Sequence, residues 1–486
     1  MRVKGRFDKT QEIKELFPKD LAVVGLAVTG FLRSALGYLL ADFSILCLLE
    51  TKDLGAIRKL CPVVSLEKDL GVKLPEKFNT SEILQIAEAK KHLTDKRRKG
   101  KLGLFLYKAS KKGNRLAEEM GLRVLSTPGE IRMRFENKKE FRIEGKKAGL
   151  NLVPGETLLV DDLDEKRWDR YRQELGERLV FQLSDYTVGG GLGTFFVNNR
   201  EEFEEFKDFV RRRREVREIK MVNVTKFIEG EASSITGCAT KHGVVTSLLQ
   251  KQIMDQPELA GLHGRSGVWL GHDWYIQYSE KEQLEAEEQC QKWGEWMYKQ
   301  GYKGIYGLDV VVDKEGKIWS IECNSRYTGA FPVYTMMQLD RGETPIDVWH
   351  LLEWMEVDYE MDLDEVQKVA REPKEGAHFH LHNIERKFVT PTRMVKAGVY
   401  QWDGEKVKWV REGFSLLDIK DKDEMVLADK VVGERMVLKP AERIGRLIFK
   451  RRVLDDKGRL LPEIKKVVKE IYSQFELMPV ERPEGY

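Results

Sequence analysis

At 486 residues the chain has room for about three domains. Apolar residues make up 41% and charged residues 34%, as in a globular protein with a large core. Its 83 basic and 80 acidic residues leave a formal net charge of +3, so charge gives no footprint for nucleic acid.

The first twenty residues are polar and charged, unlike a signal peptide. The apolar stretch 21–49 is interrupted by Arg33 and Asp42 and punctuated by Gly25, Gly30 and Gly37. It reads as strand, turn, helix and strand rather than as a membrane span. Further strands at 61–65 and 102–107, with a helix at 81–91, give the pattern of a doubly wound parallel sheet. The turn 25–30 lacks the full GxGxxG spacing, so it reads as a scaffold or substrate-facing turn before a dinucleotide site. Five cysteines (Cys47, Cys61, Cys238, Cys290, Cys323) form no CxxC pair. That argues against a disulfide framework or a structural zinc site, and a reducing, cytoplasmic setting is expected.

A helix at 138–148 stops at Gly149. Strand 179–183 runs into a glycine-rich loop, and strand 194–197 follows it. The helix at 201–214 carries Arg211, Arg212, Arg213 and Arg214 after four glutamates, which reads as a solvated face. Strands follow at 221–228, 233–240 and 244–251, the last two as a hairpin around His242-Gly243. Helix 281–298 precedes strands 304–312 and 318–323. From about 375 onward short strands and turns dominate, and a helix at 462–475 closes the pattern.

Chemistry concentrates in Tyr306-Gly-Leu-Asp-Val-Val-Val-Asp-Lys-Glu-Gly-Lys-Ile-Trp-Ser-Ile-Glu-Cys-Asn-Ser-Arg326. Pairing Val312 with Lys317 sets Asp309 opposite Ser320 and projects Asp309, Ser320, Glu322 and Asn324 from one face. Val310, Trp319, Ile321 and Cys323 then fill the other face. Two carboxylates so close call for a cation between them, and hard oxygen ligands suit Mg²⁺. Arg326 lies two residues beyond Asn324, within reach of the same place. Gly189, Gly190, Gly191 and Gly193 leave a bare backbone whose N–H groups suit phosphate. In Lys226-Phe-Ile-Glu-Gly-Glu231, backbone groups at Lys226 and Ile228 suit a purine edge, Phe227 its ring and Glu231 ribose hydroxyls. Each of the last two segments also reads as an ordinary strand and turn.

These pieces stand in the order found in the ATP-grasp superfamily, which the chain resembles over residues 20–335. The likeness is to biotin-carboxylase-like, glycinamide-ribonucleotide-synthetase-like and D-alanine–D-alanine-ligase-like members. It implies metal binding by Asp309, Glu322 and Asn324, with Arg326 in the place of a catalytic arginine. KKAGLNLVPG resembles the segment after the family's first ATP lysine, which falls on Lys138. The same resemblance assigns Lys226, Phe227, Ile228 and Glu231 to the nucleoside, the four glycines to the phosphates, and Lys251 to a substrate- or phosphate-facing role. Where many members carry a lysine before the glycine loop, this chain has Gln182, which hydrogen-bonds phosphate but adds no charge.

By resemblance the fold is α/β and α+β. It has a Rossmann-like pre-ATP-grasp domain over 1–125, an ATP-grasp domain over 126–370 with a lid at about 150–228, and a β-rich C-terminal region over 371–486. The implied activity is a ligase that uses ATP with one or two Mg²⁺ ions, or Mn²⁺ in their place. It would convert a small-molecule carboxylate to an acyl phosphate and pass it to an amine. Alternatives are a bicarbonate-using carboxylase or carbamoyl-phosphate-type enzyme, and a nucleotide-binding protein without turnover. No nucleic-acid or membrane partner is implied, and a homodimer through the first domain is allowed. His378, His380 and His382 alternate along one strand, facing a metal, a substrate or plain solvent. The 261–267 loop reads as an acceptor contact or a surface loop.

Overall fold

The computed structural model describes residues 1–73, 80–184, 193–215, 218–261, 267–433 and 436–482. Gly189, Gly190 and Gly191, and residues 262–266 of the loop after Ala260, lie outside the described residues.

The N-terminal unit is built on a five-stranded parallel sheet. Its spatial order is Val63–Ser65, Phe43–Cys47, Leu21–Ala27, Lys101–Phe105 and Arg123–Val124. Strands buried on both faces need near-continuous apolar runs, which Leu21–Ala27 and Phe43–Cys47 supply. The helix expected over 31–40 is two short ones, Phe31–Ser34 and Leu36–Leu39. The strand order reverses between Leu21–Ala27 and Lys101–Phe105, so a crevice opens beyond their carboxyl ends. Tyr107 and Lys108 stand there, two and three residues past the strand.

A small antiparallel sheet spans the segment expected to form the lid, in the order Gly155–Leu159, Met221–Lys226, Leu179–Leu183, Thr194–Val197. Alternation sorts its side chains. Leu158, Phe181 and Val222 face helices Glu165–Leu175 and Arg200–Arg214, where Trp168 stacks on Phe203 with ring centroids 4.8 Å apart. Thr157, Asn223, Gln182 and Thr194 are direct cross-strand partners and form a polar row on the other face.

The large sheet runs in the order Ile318–Asn324, Gly304–Asp313, Gly230–Thr240, Gln250–Met254, Trp269–Asp273, Ala377–His382, Arg443–Phe449, Glu424–Ala428, Gly398–Trp402, Val407–Arg411. Gly243–Thr246 pairs with Gly230–Thr240 as well. Helix Glu280–Lys299 covers one face through Ala286, Cys290, Trp293 and Met297. The expected boundary at 371 is no break in the sheet, because Ala377–His382 pairs directly with Trp269–Asp273. The single strand expected over 244–251 is two. Between them the Leu248 amide donates to the Tyr334 hydroxyl and the Leu249 amide to Gln283 Oε1, so side chains take the bonds a ladder would have used.

Candidate active site

The acidic hairpin has a register set by its turn and by a bulge. The Asp313 amide donates to the Lys317 carbonyl at 3.0 Å, Gly316 takes φ +77°, and the Asp313 carboxylate accepts from the Glu315 and Lys317 amides. Val312 therefore faces Ile318, not Lys317. A β-bulge at Ile321 then adds one more residue, so Asp309 faces Glu322 directly. This corrects two expectations: Ser320 lies on the buried face opposite Val310, and Trp319 and Ile321 are only partly buried. Asp309, Glu322 and Asn324 do share a face, and Asn324 Nδ2 donates to Asp309 Oδ2 at 2.8 Å. Burial, then the neighbouring Glu322 charge, pushes the Asp309 carboxyl up to about 7. Burial would raise Glu322 too, but the Lys138 ammonium, with Arg326, holds it below the usual carboxylate range.

Lys138 owes its place to a cap. The Asn137 side chain accepts from the Lys139 and Glu140 amides at 2.9 and 3.1 Å and starts helix Lys138–Ala148 with Lys138 as its first residue. The segment leaving that helix runs beside the hairpin, where the Ser320 amide donates to Asn151 O at 2.8 Å. Lys138 thus forms an ion pair with Glu322. Its carbonyl accepts from Asn223 Nδ2 at 3.2 Å, which joins the acids to the lid's polar row, Gln182 included. Gly193 closes the mouth of the glycine loop, with its carbonyl accepting from the Leu183 amide at 2.9 Å.

Arg326 is held on three sides. Nε donates to Glu136 at 2.7 Å, Nη1 to the Tyr107 hydroxyl at 2.7 Å and Nη2 to Asn324 Oδ1 at 2.6 Å. Tyr107 comes from the crevice of the N-terminal sheet, so that unit reaches the same cleft.

Other expected site residues stand apart. Lys251 and Glu231 form an ion pair of 2.7 Å. Lys251 pairs with Ser233, which faces Val310, and Glu231 faces Val312. Both therefore project from the side opposite Asp309, and the assignment of Lys251 to the reacting groups is corrected. The hinge is also more engaged than expected. The Lys226 amide donates to Pro154 O at 2.9 Å and the Phe227 amide to Arg178 O at 3.0 Å. The Phe227 ring lies 3.7 Å from the Arg178 guanidinium carbon, and Ile228 is partly buried beside it.

Residues 183–330 match the family described as the ATP-grasp domain, a span that holds Asp309, Glu322, Asn324 and Arg326. The chain carries an ATP-grasp domain. No curated protein matches it by sequence. Among solved structures it is similar to the biotin carboxylase of Campylobacter jejuni bound to a β-γ-ATP. The TM-score is 0.59 at 13% identity, covering 88% of each chain. It is also similar to the biotin carboxylase domain of Hydrogenobacter thermophilus 2-oxoglutarate carboxylase, with MgADP and bicarbonate. There the TM-score is 0.56 at 14% identity, over 88% of this chain and 86% of that one. A third is an N5-carboxyaminoimidazole synthase from Aspergillus clavatus, with ADP and an aminoimidazole ribonucleotide. Its TM-score is 0.53 at 10% identity, over 89% and 94%. At such identities the likeness shows the fold alone.

Within the ATP-grasp domain the sheet adds neighbours that sequence reading missed. Gln252 Nε2 donates to Asp309 Oδ1 at 3.1 Å, and Ser234 is the direct partner of Asp309. Alternation was the available signal: on one strand, Gln250 and Gln252 face the acids while Lys251 faces away. Lys108, beside Glu136, is depressed to about 8 by burial and by the Arg132 and Arg326 charges. The cleft therefore gathers two facing carboxylates, a carboxamide, an ammonium paired with one of the acids and a guanidinium held on three sides. That set can hold a divalent cation, bind phosphate and stabilise a developing oxyanion.

Proposed function

We propose that the protein is an ADP-forming carboxylate–amine ligase. The observation that carries this reading is the meeting of Asp309, Glu322 and Asn324 with Lys138 and Arg326 beneath the lid's polar row. The residues fit a magnesium ion. Burial and the facing Glu322 charge make an isolated Asp309 carboxylate unfavourable, and a cation shared by the two removes that repulsion. Asp309, Glu322 and Asn324 would hold Mg²⁺, which when bound offsets charge on phosphate oxygens.

The chain's own groups do the rest. Lys138 leaves Glu322 when the acids are otherwise compensated and turns its ammonium to a phosphate oxygen. Gln182 and Asn223 supply neutral amides from above, with Gly193 at the base of the covering loop. The substrate carboxylate attacks the γ-phosphorus, the bond to the β-phosphate oxygen breaks, and ADP leaves. The amine then attacks the acyl carbon and phosphate departs. Arg326, oriented by Glu136, Tyr107 and Asn324, faces the oxyanion of that second step. Lid closure keeps water from the acyl phosphate.

ADP release measured against amino acids, small peptides and bicarbonate tests this. Release that needs a carboxylate and an amine together supports it. Release driven by bicarbonate alone replaces it with a carboxylase reading, and tight MgATP binding without release replaces it with nucleotide binding.

A further inference from the structure

The histidine strand is a sequence signal that this chemistry leaves unused. It lies on the same sheet face as the acids. His378 pairs with His272, and His272 with Gln252, the residue whose amide reaches Asp309. Ser234, opposite Asp309, has its hydroxyl 3.2 Å from His272 Nε2. Strands lie about 4.8 Å apart, so the histidines stand roughly 10–20 Å from the acids along one continuous surface.

Burial there is nearly complete: His272 is 4% exposed, His378 0% and His380 1%. Trp269 stands over them, its ring centroid 5.3 Å from His272 and 5.4 Å from His380, and Trp274 lies 5.3 Å from His272. On this patch both nitrogens of His378, Nδ1 of His272, Nε2 of His380 and the Trp274 indole N–H have no hydrogen-bond partner among the described residues. A buried polar group left so has given up its water with nothing in return. Five on one patch are a destabilising choice unless a ligand or ordered water satisfies them.

The chemistry of that ligand follows from the groups. Burial and the Arg446 and Arg443 charges push the His378 and His380 protons off, so both imidazoles are neutral, each with one donor and one acceptor. A cation is disfavoured beside those arginines. Among the described residues both guanidiniums already pair with Asp429, Arg446 at 2.9 Å and Arg443 at 3.3 Å, so neither charge is free for an anion. Among the described residues no three His, Cys, Asp or Glu side chains are set to hold a metal, which corrects the metal option for this strand. A neutral planar group with both an N–H donor and an N or O acceptor matches donor to acceptor and stacks on indole.

We propose that this histidine–tryptophan face recognises a carboxamide or neutral nitrogen-heteroaromatic group on an organic substrate whose reacting end lies at the acids. The second half of that statement rests on the ligase reading, and the first half does not. The Gly329 turn, three residues past Arg326, lies against this face: a Cβ there would lie 3.7 Å from Trp269 and from Arg446.

The test is calorimetric titration of the full chain, with Mg²⁺ and a non-hydrolysable ATP analogue present. The probes are imidazole-4-carboxamide and nicotinamide, with benzoate and guanidinium for comparison. The two amides should bind saturably, and His378→Phe, which keeps the ring and removes both nitrogens, should weaken them at least tenfold. Its nucleotide affinity should not change, and it should melt no lower than the parent. Trp274→Phe reads the same loss should His378→Phe not fold. Amide binding that is absent, equal in the variants, or matched by benzoate or guanidinium overturns the proposal. A lower melting point with no loss of binding does so too, because it assigns those nitrogens to ordered water. Nucleotide binding in the same samples reports on the ligase reading separately.

Discussion

Protonating His350 should loosen the joint between the N-terminal unit and the ATP-grasp domain. This imidazole is buried, with Nε2 donating to Leu125 O at 2.9 Å and Nδ1 accepting from the Ile305 amide at 3.2 Å. Both nitrogens are used by the neutral ring, and a second proton would set donor against donor at Ile305. Burial accordingly lowers His350 to about 4. The unfolded value is about 6.5, so the unfolded chain takes up the proton first. A depressed histidine contributes its stability fully above pH 6.5 and loses it as pH falls toward 4. Between pH 7 and pH 5 the loss is about 2 kcal/mol, from 1.36 kcal/mol per pH unit over the window between the two values. Other groups also titrate there. Buried Asp53, Asp273 and Asp347, each raised to about 6, act in the opposite sense, so total stability is a poor readout. The difference between parent and His350→Gln isolates the one residue. Urea unfolding followed by tryptophan fluorescence should show the parent losing about 2 kcal/mol more than the variant from pH 7 to pH 5. Parallel pH curves would refute the reasoning.

Lys138→Met should leave the fold intact, because the Asn137 cap is untouched, and weaken nucleotide binding by tenfold or more, about 1.4 kcal/mol, in a fluorescent-ATP titration. Gln182→Lys should tighten MgATP binding by a similar factor, since it adds a charge to the lid's polar row, whereas Gln182→Leu should weaken it slightly. Lys251→Met, on the far side of the sheet, should change MgATP affinity by less than threefold, about 0.65 kcal/mol, while lowering the melting temperature.

How much of this was legible follows from the kind of interaction that fixes each part. The N-terminal parallel sheet was readable because strands such as Phe43–Cys47 carry their own apolar signal and are separated by turn residues. The helix at Lys138–Ala148 was readable with its stop at Gly149, and the structure adds the Asn137 cap at its start. The acids were readable as residues, but their facing was not. Two offsets, the turn ending at Gly316 and the bulge at Ile321, move Glu322 into the place that simple counting gave to Ser320. Lys251 was misjudged for a related reason. The resemblance put Lys251 beside the substrate or phosphate, but the ladder with Gly230–Thr240 decides which residues of that strand face the cleft. The join of the C-terminal strands to the large sheet rests on pairing across more than a hundred residues of chain, for which no local pattern exists.

The most direct measurement is Mn²⁺ binding by electron paramagnetic resonance, with and without ATP, in the parent and in Glu322→Gln. The parent should form a tight Mn²⁺–ATP complex. The variant should keep its circular dichroism spectrum and lose metal affinity by at least tenfold, about 1.4 kcal/mol. Equal Mn²⁺–ATP affinity in the two proteins would contradict the placement of the divalent cation on Asp309, Glu322 and Asn324, and the ligase reading with it.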